Sequence, residues 1–519
     1  MRIACLNPQG NFDPGDFGWT QHPDFGGQLV YVKELSLALG RLGHGVDVIT
    51  RRIEDPAWPT FSASRDGYPG HENVRILRFP CGPPGFLPKE ELWPHLKEWI
   101  GNILAFYDQE RSFPDVLTGH YADGGLAAVL LQEQRGTPLT FTGHSLGAQK
   151  MDKIILGEED FSKAVQTFHF DRRIAAERIS MARAARIITS TEQERAEQYA
   201  HRLYRGAVDP AAPGKFAVIP PGVNLEIFGL GRRSEAEEQI AERVEKMLER
   251  DIPAERRDLA TVVCSSRLDA KKNHRGLIGA WVRSEELRRT ANLLIVTRGV
   301  RDPLHSWETE FRGEERAIFG QIVGQIREGG LQGCVSAFDL NSQEELAACY
   351  RYLGRSRRGI FTLTSVYEPF GLAPLEAMAA GLPAVVTGNG GPRESLQDQD
   401  GAYGILVDPE DPGDITRGLL ELAADETRRQ EMRTRGRRRV MDRYTWERTA
   451  QGYLEQFLQI LGGADGGNRE FEEPENAGTG WLKKMYYGTE GSECGRADRG
   501  ADPARAALFA SDLHDNHRR

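Results

Sequence analysis

Short apolar runs rich in β-branched residues recur along this chain, separated by longer stretches whose apolar residues return at helical spacing. Val46 to Thr50, Leu139 to Thr142, Ile187 to Ser190 and Val218 to Pro220 are such runs in the first half, and strand-like Ile3 to Leu6 precedes them. This alternation predicts a parallel sheet covered by helices, because parallel neighbours need a helical crossover between them. Pro220-Pro221-Gly222-Val223-Asn224 then breaks the pattern with a turn-rich segment. A charged helix follows, with Ser234 and Glu237 at capping-box spacing and Ile240, Val244, Met247 and Leu248 on one stripe. The alternation restarts with Ala260 to Ser265, Leu293 to Thr297, Val335 to Phe338, Ile360 to Thr364, Ala384 to Thr387 and Ile405 to Val407. The fold class expected is therefore α/β, with two Rossmann-like lobes facing a central cleft, since ligand sites lie at the carboxyl ends of parallel strands. We divide the chain into an N-terminal lobe over 1–230, a C-terminal lobe over 231–444 and a C-terminal helix over 445–462 that returns to the first lobe. The Gly-, Asp- and Glu-rich tail over 463–519 is expected to be disordered.

A chain of 519 residues exceeds one ordinary core, and 39% hydrophobic with 27% charged residues fits a folded globular protein. The net charge of -10 opposes general nucleic-acid binding, which draws its affinity from clustered Lys and Arg, but leaves room for local basic sites. Six cysteines, at 5, 81, 264, 334, 349 and 494, stand far apart with no CxxC pair, the distribution of free thiols in a reducing cytoplasm. The longest apolar stretch, Leu29 to Leu42, holds Lys33, Glu34 and Arg41, so neither a signal peptide nor a membrane span is expected.

Five segments carry chemistry. Phe25-Gly26-Gly27-Gln28 precedes an amphipathic helix, where a glycine pair lets backbone N–H groups approach an anion; a plain tight turn explains it equally. Gly143-His144-Ser145-Leu146-Gly147 follows an apolar strand and satisfies the G-x-S-x-G pattern of a serine hydrolase with Ser145 as nucleophile. No HGGG-type oxyanion segment accompanies it, and the rival reading makes His144 the active residue at the mouth of the cleft. Arg267 and Lys272 stand five apart after the first strand of the second lobe, placed to stabilise a diphosphate leaving group or simply forming a solvated basic turn. Glu368-Pro369-Phe370-Gly371-Leu372-Ala373-Pro374-Leu375-Glu376 breaks any continuous helix, so Glu368 belongs to a loop suited to sugar hydroxyls. Glu376 belongs to the first turn of a helix beginning near Pro374, where the helix dipole alone accounts for a carboxylate. The loop Thr387-Gly388-Asn389-Gly390-Gly391-Pro392 offers further backbone contact, and Asp398-Gln399-Asp400 matches a DxD metal pattern in an unpromising polar loop, so no metal ligands are assigned.

Taken together and in order, LNPQGNFDP, HPDFGGQLVYVKE, ITRR, FLPKEELWP, TFTGHSLGAQK, IPPGVN, SSRLDAKKN, YEPFGLAPLEAMAAGLPAVVT and NGGP resemble the sucrose-phosphate synthase family, retaining glycosyltransferases of the two-lobed GT-B fold. The resemblance spans residues 1–460 and implies transfer of glucose from UDP-glucose to the C2 hydroxyl of fructose 6-phosphate. It implies catalytic roles for His144, Arg267, Lys272 and Glu368. Donor contacts are implied for Gly27, Arg178, Arg267, Lys272, Glu368, Gly371, Leu372 and, at the ribose, Glu376. The acceptor and its phosphate are implied to meet Gly26, Gln28, Lys89, Lys150 and Arg173. No cofactor is required for such chemistry, although Mg2+ activation is compatible with it, and a separate sucrose-phosphate phosphatase is implied because no DxDGT motif follows residue 460. Arg393 and Ser395 depart from the family pattern and touch on nucleotide preference. The close alternative is mannosylfructose-phosphate synthase using GDP-mannose; the distant one is the Ser145 hydrolase.

Overall fold

The computed structural model describes residues 1–15, 27–155, 157–231, 235–463, 482, 483, 485 and 486. These group into two units, one built from Met1–Pro220 with the described part of Thr449–Arg519, the other from Pro221–Arg448.

The first unit holds an eight-stranded sheet of β1 (Arg2–Leu6), β2 (Gly45–Arg51), β3 (Arg65–Tyr68), β4 (His71–Phe79), β5 (Val116–His120), β6 (Leu139–Thr142), β7 (Arg186–Thr189) and β8 (Phe216–Val218). Their spatial order is β3-β4-β2-β1-β5-β6-β7-β8, parallel except for the β3–β4 hairpin. Helices α1 (Gly27–Arg41), α2 (Tyr121–Arg135), α3 (Gly147–Ile154), α4 (Glu158–Phe168) and α5 (Phe170–Arg183) belong to the same unit. Central strands β1, β5 and β6 are buried almost throughout, as parallel strands covered on both faces are.

The second unit holds β9 (Ala260–Ser265), β10 (Ala291–Thr297), β11 (Val335–Asp339), β12 (Ile360–Leu363), β13 (Ala384–Thr387) and β14 (Ile405–Val407) in the order β11-β10-β9-β12-β13-β14, all parallel. Third-second-first-fourth-fifth-sixth is the doubly wound order of a dinucleotide-binding sheet. Helices α6 (His274–Arg283) and α7 (Leu372–Ala379) follow β9 and β12.

A last helix, α8 (Trp446–Leu461), joins the first unit from Thr449 onward. There its Tyr453 hydroxyl meets the Tyr31 hydroxyl at 3.0 Å and Thr142 Oγ1 at 2.8 Å, and Arg186 Nε donates to Gln456 Oε1 at 2.8 Å.

Two details differ from the sequence expectation. The run expected as a strand at Val218 to Pro220 is a strand over Phe216–Val218, because Pro220 and Pro221 have no N–H to continue a ladder. The units divide at Pro220 and Pro221, not at 230 and 231. The tail expectation over 463–519 lies outside the described residues, apart from Gly463, in a turn, and the helical residues Leu482, Lys483, Met485 and Tyr486. Among the described residues no helix is long and apolar enough to cross a membrane.

Candidate functional site

In the second unit the strand order reverses between β9 and β12, and a parallel sheet presents its ligand site beyond the carboxyl ends at such a reversal. Both loops singled out in the sequence leave from that point. β9 ends at Ser265 and feeds the turn with Arg267 and Lys272, while β12 ends at Leu363 and feeds the loop with Glu368. The Val366 N–H donates to the Lys271 carbonyl at 2.9 Å, tying one loop to the other. Lys272 Nζ then donates to Glu368 Oε2 at 2.8 Å, and the Ser365 hydroxyl reaches the same oxygen at 3.3 Å. Local capping holds the lysine turn in place: Asp269 accepts from the Lys271 N–H at 2.8 Å, and left-handed Asn273 caps α6 through the Gly276 N–H at 3.1 Å. Arg267 is placed differently, with its side chain 84% exposed and its nearest carboxylate, Asp269, at 3.8 Å. The structure therefore brings Lys272 and Glu368 together and leaves Arg267 at the solvent edge of the same turn.

The Gly-rich loop after β13 holds Glu368 from the other side. The Glu368 N–H donates to the Asn389 carbonyl at 3.0 Å, and the Gly391 N–H returns a bond to the Glu368 carbonyl at 3.0 Å. Gly390 sits between them at φ 99°, where a Cβ would run into the Glu368 carbonyl, so a side chain is doubly excluded. Gly371, at φ 87°, precedes α7, and Leu372 opens it, so the unpaired N–H groups of a helix N-terminus stand three residues past Glu368.

Glu376 departs from its expected place. The helix begins at Leu372 rather than near Pro374, so Glu376 lies beyond the first turn, where the dipole fades and no longer accounts for an acid. Among the described residues no donor reaches its half-buried carboxyl, and loss of water pushes it from 4.5 up to about 7. In the unfolded chain the group ionises near 4.5, whereas the folded chain keeps the proton to about 7. The folded state thus binds more protons across that window, and stability falls as pH rises through it. Glu376→Gln is expected to flatten that fall, which melting temperatures across the window measure. The DxD pattern is structural: Asp398 is paired with Arg439 and accepts from the Tyr403 hydroxyl at 3.1 Å.

In the first unit the reversal lies between β1 and β5. Two bulky residues at the strand ends there take left-handed backbone, Tyr121 at φ 67° after β5 and His144 at φ 56° after β6. That conformation is costly for side chains with a Cβ and marks functional sites more often than packing sites. His144 Nε2 lies 3.0 Å from His120 Nδ1, and the Tyr31 ring meets the His144 ring edge-on at a centroid distance of 4.9 Å. Burial brings His144 down to about 3 and drives His120 well below the usual histidine value, with His144 adding to the shift of His120. Both rings are therefore neutral at neutral pH, one donating to the other. The nucleophile elbow is not formed. Its left-handed residue is His144 instead of Ser145, Ser145 is exposed, and among the described residues no histidine hydrogen-bonds to its hydroxyl.

The acceptor candidates divide. Arg173 is buried, 3.1 Å from Glu177, donates to the Ser145 carbonyl at 2.6 Å and lies 4.6 Å over the Tyr121 ring. Lys150 Nζ sits 4.3 Å over the Phe168 ring. Lys89 lines a small pocket with Gln9, Gly10, Arg51 and Phe86 and has Glu90 at 3.7 Å. Gln28, in the first turn of α1, has a buried Nε2 with no hydrogen-bond partner among the described residues, Gly27 opens that helix exposed, and Gly26 lies outside the described residues. Arg178, expected at the donor phosphates, is buried and gives Nη1 to the Leu203 and Arg205 carbonyls at 2.6 and 3.0 Å. Sequence reasoning missed Tyr121, His120, Glu177 and Tyr204. The Tyr204 hydroxyl donates to Glu177 and in turn accepts from the Ala148 N–H at 3.0 Å, so it joins α3 to the Arg173–Glu177 pair.

Comparison with known proteins decides the family. Family models match as a Glycosyl transferase 4-like domain over residues 26–222 and as Glycosyl transferases group 1 over 245–439. A relative from Thermosipho melanesiensis described as a probable sucrose-phosphate synthase is 41% identical over 454 residues, covering 88% of this chain and 96% of its own. The chain belongs to the sucrose-phosphate synthase family. Probable sucrose-phosphate synthase 1 of Oryza sativa subsp. indica is 32% identical over 83% of this chain, but this chain spans only 44% of that longer family member. In structure, the sucrose-phosphate synthase of Thermosynechococcus elongatus superposes with a TM-score of 0.62 at 24% identity, over 89% of this chain and 100% of the other, which shows the GT-B fold. Family membership makes the chain a glycosyltransferase.

Proposed function

We propose that this chain makes sucrose 6-phosphate from UDP-glucose and fructose 6-phosphate, with retention at the anomeric carbon. The observation that carries this reading is 41% identity across 88% of the chain to a relative described as a probable sucrose-phosphate synthase. The placement of Lys272 and Glu368 at the strand reversal supports it.

The second unit takes the donor. Glu368 accepts from glucose hydroxyls, Glu376 from the ribose hydroxyls, and the N–H groups at Gly371 and Leu372 meet the diphosphate. Lys272, with Arg267 drawn in from solvent, neutralises the charge that grows on the β-phosphate as the bond from C1 to its oxygen breaks. The first unit takes the acceptor, with Lys89, Lys150 and Arg173 on its phosphate and Gln28 on the sugar. The C2 hydroxyl oxygen of fructose 6-phosphate bonds to C1 on the face that UDP leaves, and its proton passes to a donor phosphate oxygen. No protein nucleophile is consumed. His144, neutral and held by His120, presents a hydrogen-bonding nitrogen to the transferred glucose without adding a charge. Stabilisation made only as the bond breaks is what raises turnover.

The reaction is proposed to need no cofactor, with Mg2+ at most an activator, and to take place in the cytoplasm. A separate phosphatase then releases sucrose. Incubating the protein with UDP-, ADP- or GDP-glucose, or GDP-mannose, and with fructose or fructose 6-phosphate, tests substrate choice. Sucrose 6-phosphate from UDP-glucose and fructose 6-phosphate is expected as the main product; dominance of GDP-mannose, or no product from any pair, overturns the reading.

A further inference from the structure

Leu482, Met485 and Tyr486 recur at i, i+3 and i+4, the spacing of one helix face, within a stretch whose composition predicted no fold. The structure puts that face to use. Leu482 is fully buried, Tyr486 nearly so, and both join the core of the first unit, while Lys483 between them is exposed. The Tyr486 ring lies 5.9 Å from Phe161 of α4 and under the Arg202 guanidinium at 4.5 Å, and its hydroxyl hydrogen-bonds to Asp152 of α3. Asp152 is also held by His201 at 3.0 Å and Arg202 at 3.7 Å.

Each element so gripped also positions an acceptor-phosphate cation. Helix α3 carries Lys150, whose ammonium rests on Phe168, the last residue of α4. The turn at Arg202–Tyr204 carries Tyr204, which holds Glu177, the partner of Arg173. Three pieces of chain that set Lys150 and Arg173 thus share one clasp. Resting on the proposed reaction, we infer that the Leu482–Tyr486 segment is a positioning element that docks on α3, α4 and the Arg202–Tyr204 turn and tightens the site for the phosphate of fructose 6-phosphate.

The test uses the full chain with Leu482→Ala and Tyr486→Ala together. KM for fructose 6-phosphate is expected to rise about fivefold or more, the scale of coupling between linked sites. KM for UDP-glucose and kcat at saturation are expected to stay unchanged. A synthetic peptide of residues 478–490 added in trans should restore the acceptor KM, which a merely structural role would not allow. Unchanged acceptor KM, or parallel loss of melting temperature, kcat and both KM values, overturns the inference. Fluorescence polarisation of the labelled peptide on the double variant reads docking without turnover. A parent chain inactive on fructose 6-phosphate therefore refutes the reaction separately from the docking, while failure of the peptide to bind refutes the clasp itself.

Discussion

Lys272→Ala is expected to lower kcat by about 10²- to 10³-fold, the usual cost of removing one preorganised group that meets transition-state charge. The lysine is suited to that work because its turn is built around it. Asp269 caps the turn, Asn273 closes it, and Glu368 holds the ammonium at 2.8 Å before substrate arrives. Replacement also strips Glu368 of its cation, so the carboxylate proposed to bind the sugar loses its aim and the diphosphate loses its proposed charge partner. KM for fructose 6-phosphate should stay near that of the parent, since Lys272 lies in the second unit and the cations proposed for the acceptor lie in the first. Steady-state kinetics with both substrates varied measure the split. A kcat within tenfold of the parent would remove Lys272 from the chemistry.

Arg173→Ala is expected to have the largest effect on stability, about 3–5 kcal/mol, because it leaves the buried Glu177 without its counter-cation. Glu177 already feels that environment: burial raises its pKa even with Arg173, the Tyr204 hydroxyl and the Gly147 N–H against it. Replacing both partners, Arg173→Met with Glu177→Gln, should recover most of the lost stability, since an uncharged pair of similar volume needs no neutralisation. The amide oxygen introduced by Glu177→Gln can still accept from the Gly147 N–H and the Tyr204 hydroxyl, the two donors that the carboxylate holds besides Arg173. Acceptor binding should not recover, because the phosphate would still lack the cation proposed for it. Denaturant melts and the fructose 6-phosphate KM, taken on the same three proteins, separate the two roles of Arg173. Recovery of both properties in the double variant would reduce Arg173 to a packing residue.

Much of the second unit is legible from sequence. The β9, β12, β13 and β14 strands read as unbroken apolar runs because parallel strands are covered on both faces, and the motif loops follow directly from their ends. β4 hid because its pattern puts Arg78 at a core position; the guanidinium is buried there and satisfied by Asn11 and by the Ala63 and Phe12 carbonyls, which come from distant segments. β5 hid because Gly119 and His120 are poor strand formers, and only the close packing of Gly119 against Gly124 and Gly125 of α2 explains the glycine. In the site, Lys272 and Glu368 were found by motif, but their direct contact spans 96 residues of sequence and no local pattern could reveal it. Tyr121 and His144 were likewise invisible as a pair, since left-handed backbone at a Tyr or His leaves no compositional trace. The two backbone carbonyls that Arg178 meets were not legible either, because an AER triplet on an amphipathic helix reads the same whatever the guanidinium faces.

The chemistry itself is read most directly by NMR of the product formed from UDP-glucose carrying 13C at C1 and fructose 6-phosphate. The label is expected at an α-glucosidic carbon joined through oxygen to C2 of fructose 6-phosphate, with UDP released in equal amount. A label found in free glucose, in a β-glucoside or still in UDP-glucose would contradict the proposed reaction.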